Sequence, residues 1–307
     1  MFNIILASPR GYCAGVDRAI GMLRDILEAY GAPIYVNHEI VHNKFIVQYF
    51  EGKWVVFTDD LDRVAPWEIM VFSAHWVAPS YVEKVKQKWV RYIDASCPLV
   101  IKVHNEAKKF ISDGYEVIYI GKHNHQEAIW VADNNLEKIH IISTLADLKA
   151  LNFPADQKLA LLNQTTLSVD DTKQLISQVQ EKYPDIHLPS FSDICYATTN
   201  RQEAVKAIIG EIDALIIVGS KNSSNSVKLQ WIWTAHSIPS ILIDSPDEIP
   251  EGFFENITHL WISSGASVSE DLVQKLISHL ESLWWKFSKE IQVAEEKMIF
   301  PYTLSLK

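Results

Sequence analysis

The 307-residue chain is 48% hydrophobic and 21% charged, with a formal net charge of −10. That composition excludes a disordered chain, since there is ample apolar mass to bury, and its acidity argues against generic duplex nucleic-acid binding, which runs on a basic surface. No apolar run approaches the ~20 residues of a membrane-spanning helix, no signal peptide precedes the first strand-like run, and three scattered Cys imply no disulfide framework, so a cytoplasmic, reducing setting is expected.

Length suggests two or three domains. In chain order, residues 2–7 read as a strand and 14–30 as a helix. Residues 34–36, 54–57 and 69–72 are short strand-like runs, 80–88 a helix and 90–93 a strand. An amphipathic helix over 99–112 leads to strands at 117–120 and 159–162, then a helix over 169–182 that stops before Pro184. The remainder alternates in the same way: helix 201–211, strand 214–218, helix 227–236, strands 241–243 and 260–262, helix 270–283. Short β-branched runs alternating with helices predict α/β architecture with mainly parallel sheets.

Each Cys has the same context of strand, short loop, Cys and helix. Residues 2–7 precede Cys13, 90–93 precede Cys97, and 186–188 precede Cys195. A helix N-terminus offers free N–H groups and partial positive charge, which lowers a thiol pKa and favours the thiolate that ligates metal. The shared context is compatible with three buried unligated thiols, a Cys₃His zinc site or an iron–sulfur cluster. No CxxC pair is present to favour a zinc ribbon.

Two further sets are polar. His42, His75 and His125 fall in loops after strand-like runs, with Glu127 two residues beyond His125. They read as anion donors beside a carboxyl group that burial would turn into a proton donor, or as ordinary hydrogen-bonded loop residues. The loops Gly219 to Ser226 and Ser263 to Ser267 each join a strand to a helix and are rich in hydroxyls. That is the shape of a phosphate cradle, or of simple helix capping, and neither loop is a nucleotide-binding motif. A zinc hydrolase and an RNA-associated module are the rival readings, the second opposed by the negative charge.

Longer motifs carry a resemblance. They are Pro9-Arg10-Gly11-Tyr12-Cys13-Ala14-Gly15-Val16-Asp17-Arg18-Ala19, His38-Glu39-Ile40-Val41-His42-Asn43, Ser73-Ala74-His75 and Asp94-Ala95-Ser96-Cys97-Pro98-Leu99-Val100. Gln164-Thr165-Thr166-Leu167-Ser168, Asp193-Ile194-Cys195-Tyr196-Ala197-Thr198-Thr199-Asn200-Arg201, Gly219 to Ser226 and Gly265-Ala266-Ser267 follow. The sequence resembles the 4-hydroxy-3-methylbut-2-enyl diphosphate reductases, the LytB family, over nearly its whole length.

The resemblance implies three small α/β domains in a trefoil, at 1–96, 97–192 and 193–280, with a segment 281–307 folding back toward the site. It implies a 4Fe–4S cluster on Cys13, Cys97 and Cys195, with one iron open to the substrate hydroxyl. The diphosphate would be held by His42, His75, His125, Thr165, Ser223, Ser224, Asn225 and Ser267, and Glu127 with Thr165 would relay protons. The reaction implied is two-electron removal of the hydroxyl as water to give isopentenyl and dimethylallyl diphosphates, the last step of the methylerythritol phosphate route, with ferredoxin or flavodoxin as donor.

One composition feature stands apart. The chain has 11 Gly and 10 Trp, whereas average usage of about 7% would give about twenty Gly. Trp76 and Trp130 stand where the family has Gly, and Gln126 where it often has Pro. Trp54, Trp89 and Trp284 stand where a left-handed Gly is expected to stop a helix, and Trp261 precedes the 263–267 loop. Some of these Trp are therefore expected at glycine positions.

Overall fold

The computed structural model describes residues 2–133, 135, 137–189, 192–207, 212–234 and 238–307. Its first half runs β1 (Asn3–Ser8), α1 (Ala14–Tyr30), β2 (Ile34–Asn37), α2 (Lys44–Glu51), β3 (Val55–Phe57), β4 (Ile69–Phe72), α3 (Pro79–Gln87), β5 (Arg91–Asp94), α4 (Pro98–Ser112), β6 (Glu116–Ile120) and α5 (Gln126–Ala132). Then come β7 (Ile139–Ile142), α6 (Leu145–Ala150), β8 (Leu159–Asn163), α7 (Val169–Lys182), α8 (Tyr196–Lys206), β9 (Ala214–Val218), α9 (Ser224–Thr234), β10 (Ser240–Ile243), β11 (His259–Ser264), α10 (Glu270–Ser282) and β12 (Lys286–Gln292). The expected α/β class with parallel sheets is what forms. The ends of the helices predicted at 201–211 and 227–236 lie outside the described residues.

The chain divides into two compact units. One comprises Met1–Asp17, His42–Gln48 and Tyr196–Ile299. It holds a five-stranded sheet of order β10-β9-β11-β1-β12, parallel at every pairing. Side chains alternate across it, as a sheet covered on both sides requires. Ile4, Leu6, Ile216, Val218, Leu260 and Ile262 pack on one face with Val273, Leu276, Ile277 and Leu280 of α10. Ile5, Ala7, Leu215, Ile217, Leu242 and Trp261 face the other way, with Ala204 and Val205 of α8 and Leu229 of α9.

The other unit comprises Arg18–Val41, Tyr49–Cys195 and Phe300–Lys307. It holds a four-stranded sheet, β3-β2-β4-β5, and a three-stranded sheet, β7-β6-β8, both parallel. Lys307 closes one edge by exchanging backbone hydrogen bonds with Tyr92.

Several elements exceed the sequence expectation: α2, α5, α6, β7 and β12. One falls short of it. The strand expected at 186–188 reduces to a single bridge between His187 and Ala160.

Candidate active site

In the first unit the site residues gather where parallel strands feed helices, the edge at which open α/β sheets bind ligands. Cys13 lies in the turn from β1 to α1. Its N–H donates to Ala266 O at 3.0 Å, and its carbonyl accepts the Asp17 N–H at 2.9 Å. Ala14 N–H donates to the Tyr196 hydroxyl at 3.2 Å. The turn is held from below by Arg201 of α8, fully buried. Its guanidinium donates to Gly11 O at 2.7 Å, Ala197 O at 3.0 Å and Glu296 Oε1 at 3.0 Å.

Burial raises the Cys13 thiol pKa, opposed by the charge of Arg201 and by the N–H groups of Val16 and Gly15. The expected help from the helix N-terminus is present, but burial outweighs it. Arg201 was not singled out from the sequence, because only the fold brings α8 beneath the first turn. Arg201→Ala is expected to cost about 1–3 kcal/mol by removing the donor of the partly buried Glu296 carboxylate and of two carbonyls, read as a lower urea midpoint.

The two hydroxyl loops are interlocked. Asn225, at the start of α9, accepts the Ala266 N–H at 3.0 Å and donates to Thr198 Oγ1 at 3.3 Å. Ser267 Oγ donates to His42 O at 2.9 Å, and Asn43 Nδ2 donates to Ser267 O at 2.6 Å. Ser223 Oγ accepts the Ser226 N–H at 3.4 Å, and Ser223, Ser224, Asn225 and Ser267 are all buried. Gly219 and Gly265 flank Ser226 so closely that a Cβ at either would collide with its hydroxyl. That Ser226 Oγ is buried without a hydrogen-bond partner. The backbone of Cys13, through Ala266, and the carbonyl of His42, through Ser267, are thus tied to the two loops that carry Ser223, Ser224, Asn225 and Ser267.

The second unit carries the other predicted residues. Cys97 is the N-cap of α4, its N–H donating to Ala74 O at 2.9 Å, one residue before His75. Cys195 N–H donates to Thr165 O at 3.0 Å. None of the three Cys forms a disulfide. His125 caps α5, and its Nδ1 accepts the Glu127 N–H at 3.2 Å. In a neutral ring that puts the proton on Nε2.

Glu127 is buried, and its carboxyl group accepts three hydrogen bonds. Oε2 accepts the Thr165 hydroxyl at 2.9 Å. Oε1 accepts the Thr165 N–H at 3.0 Å and the Tyr119 hydroxyl at 3.2 Å. Burial raises its pKa to about 7, against the hydrogen bonds from Thr165 and Tyr119, with Asp193 adding to the rise. Asp193 is itself raised to about 6 by burial, despite Lys102 at 3.2 Å. Tyr119 and Asp193 were missed as site neighbours; Tyr119 reads from sequence only as a strand residue. Among the described residues, no group of three or more His, Cys, Asp or Glu side chains is arranged to hold a metal ion.

The LytB protein family model matches residues 4–281. The 4-hydroxy-3-methylbut-2-enyl diphosphate reductase of Actinobacillus pleuropneumoniae serotype 5b (strain L20) is 41% identical over 308 residues, covering 99% of this chain and 98% of its own. The solved E-1-hydroxy-2-methyl-but-2-enyl-4-diphosphate reductase from Plasmodium falciparum superposes with a TM-score of 0.95 at 34% identity, covering 99% of this chain and 95% of its own. A second solved structure, an (E)-4-hydroxy-3-methyl-but-2-enyl diphosphate reductase titled the terminal enzyme of the non-mevalonate pathway, matches at a TM-score of 0.65 and 27% identity over 92% of this chain and all of that one. This chain belongs to the LytB protein family.

Proposed function

We propose that the chain reduces 4-hydroxy-3-methylbut-2-enyl diphosphate to isopentenyl and dimethylallyl diphosphates, as the names of its relatives indicate. The observation that carries this reading is Glu127, a buried carboxyl with a pKa of about 7 held by Thr165 and Tyr119, in a chain of this family. Such a group keeps its proton over much of its population near neutral pH, where an ordinary Glu would not, and can donate that proton to carbon.

The chemistry of the donors, three free thiols rather than a preassembled metal cage, supports an iron–sulfur cofactor. Three cysteines free of disulfides each stand at a strand-to-helix or loop-to-helix turn, and family membership favours a 4Fe–4S cluster on Cys13, Cys97 and Cys195. When bound, that cluster supplies the electrons, delivered by ferredoxin or flavodoxin. The protein's own residues do the rest. His42, His75, His125, Thr165, Ser223, Ser224, Asn225 and Ser267 hold the diphosphate, and Glu127 with Thr165 delivers the proton.

We read the chain as three domains near the boundaries 96, 192 and 280, a reading that the presence of three parallel sheets supports. In the membrane question, no helix of the described residues is long and apolar enough to cross a bilayer. The test of the function is anaerobic incubation of iron- and sulfide-loaded protein with the hydroxylated diphosphate and a reduced one-electron donor. The expected products are the two dehydroxylated diphosphates; recovery of unchanged substrate counts against the reading.

Trp76 bears on this site. It follows His75 on left-handed backbone, φ 73°, and its indole stacks on His104 with ring centroids 3.7 Å apart. Trp76→Gly is expected to tighten diphosphate binding, by removing bulk beside His75, and to raise Tm by a few degrees. Calorimetric titration with the diphosphate checks it; unchanged or weaker affinity would show the indole is accommodated.

A further inference from the structure

Seven non-glycine residues among those described have φ in the left-handed region: His38, Asn256, Trp54, Trp67, Trp76, Trp89 and Trp284. Asn and His visit that region readily. Tryptophan has no such licence, because its Cβ crowds the following carbonyl. Five of one bulky type in one chain is therefore a pattern to be explained by a single cause.

The local geometry says what each position is. Trp54, Trp89 and Trp284 follow α2, α3 and α10, and their N–H groups close the last turn onto Glu51, Lys86 and Glu281 carbonyls at 3.0–3.2 Å. Gly114 makes the same i→i−3 bond after α4, to Ile111, and Gly31 after α1 bonds one residue further back, to Leu27, at φ 84° and 75°. The three tryptophans have φ of 65°, 59° and 73°. Five helices thus end in a residue on left-handed backbone, Gly in two and Trp in three, a stop for which glycine is the usual residue.

Trp76 stacks on His104 and Trp67 meets Trp89, but four of the five indoles gain little burial in return. Trp54, Trp67, Trp89 and Trp284 are 79%, 64%, 67% and 84% exposed, so burial does not offset the backbone strain. Scattered point mutation does not account for the pattern either. Glycine codons lie one base from those of Ala, Ser, Asp, Val, Arg and Cys as well, yet tryptophan alone fills these positions. A single rule does account for it. The codon TGA is read as tryptophan in some genetic codes and as glycine in others.

We infer that residues 54, 67, 76, 89 and 284 are glycine in the polypeptide made by this gene's own cell, where TGA codons are decoded as glycine. The shortage of Gly and excess of Trp in the composition, 11 against 10, then have the same origin. The inference concerns these five because the backbone identifies them. Trp130 and Trp261, in α5 and β11, lie on ordinary backbone and are not covered by it.

The test is peptide mass spectrometry on the protein purified from its own cells, alongside the gene's codons. Peptides spanning the five positions are expected to be lighter by the difference between a tryptophan and a glycine residue, with TGA at each codon. Tryptophan-mass peptides, or TGG codons, would overturn the inference. A second measurement needs only recombinant protein. The chain with all five replaced by Gly is expected to melt roughly 5–15 °C higher than the tryptophan form. Trp285→Gly, at a site 3% exposed and packed against Phe2 and Phe254, is expected to melt lower. An equal or lower Tm for the five-glycine chain would show that these are not glycine positions. Neither readout depends on the proposed activity.

Discussion

Replacing Cys13, Cys97 or Cys195 singly with Ser is expected to strip most of the iron and acid-labile sulfide from anaerobically prepared protein, and turnover with it. A hydroxyl holds its proton far more tightly than a thiol and is a hard, poor ligand for iron. Each Cys is anchored through its backbone N–H, Cys13 on Ala266, Cys97 on Ala74 and Cys195 on Thr165. Ser preserves those bonds and changes little but the ligand atom, so loss of metal without loss of fold is the predicted signature. About four iron and four sulfide per chain are expected in the unaltered protein. A Ser variant that keeps full iron, sulfide and turnover would remove that Cys from the ligand set.

The second large effect concerns Glu127. Glu127→Gln is expected to lower turnover by about 10²–10⁴-fold while leaving iron content and diphosphate binding nearly unchanged. The amide fits the same contacts. Its oxygen can accept from Thr165 N–H and the Tyr119 hydroxyl, as Oε1 does now, and its NH₂ can donate to a rotated Thr165 hydroxyl. What disappears is the proton.

The pH dependence follows from the same group. In the unaltered protein kcat/KM is expected to fall as pH rises through about 7, where Glu127 ionises, and the residual activity of the Gln variant should lack that limb. Stability shifts with the same sign. Folding raises Glu127 from its ordinary 4.5 to about 7, so the folded chain keeps a proton the unfolded chain gives up. The stability tied to that proton is full below pH 4.5 and is lost as pH rises through about 7. The Gln variant is expected to have a flatter stability profile over that window, measured by urea unfolding at a series of pH values.

The parts legible in the sequence were those written in local pattern. Buried parallel strands such as β9 are continuous apolar runs, and α7 and α10 show helical periodicity with clear stops. The loops of Gly219 to Ser226 and Gly265 to Ser267 announce themselves by small residues at strand-to-helix turns. Elements whose pattern is weak were not visible. β12, Lys286–Gln292, is almost wholly exposed and exists because β1 offers it an edge. α5 spans only seven residues and takes its start from the His125 cap.

The site divides along the same line. Motif residues could be named in advance, but their supports are tertiary. Tyr119 reaches Glu127 from the neighbouring strand, and Arg201 reaches Gly11 across 190 positions of sequence. Trp67 was missed as a left-handed residue because it ends no helix; its N–H bonds to Trp89 O in a turn before β4.

The most direct test of the reductive reading is electron stoichiometry. Loaded protein is titrated anaerobically with a reduced viologen in the presence of the hydroxylated diphosphate, in deuterated water, using both the tryptophan chain and the five-glycine chain. Replacing C–OH by C–H with release of water requires two electrons and two protons. Two viologens are expected to be oxidised for each dehydroxylated diphosphate formed, with one deuterium on carbon in the product. Diphosphate consumed without viologen oxidation, or no dehydroxylated product from either chain, would contradict the reductive reading.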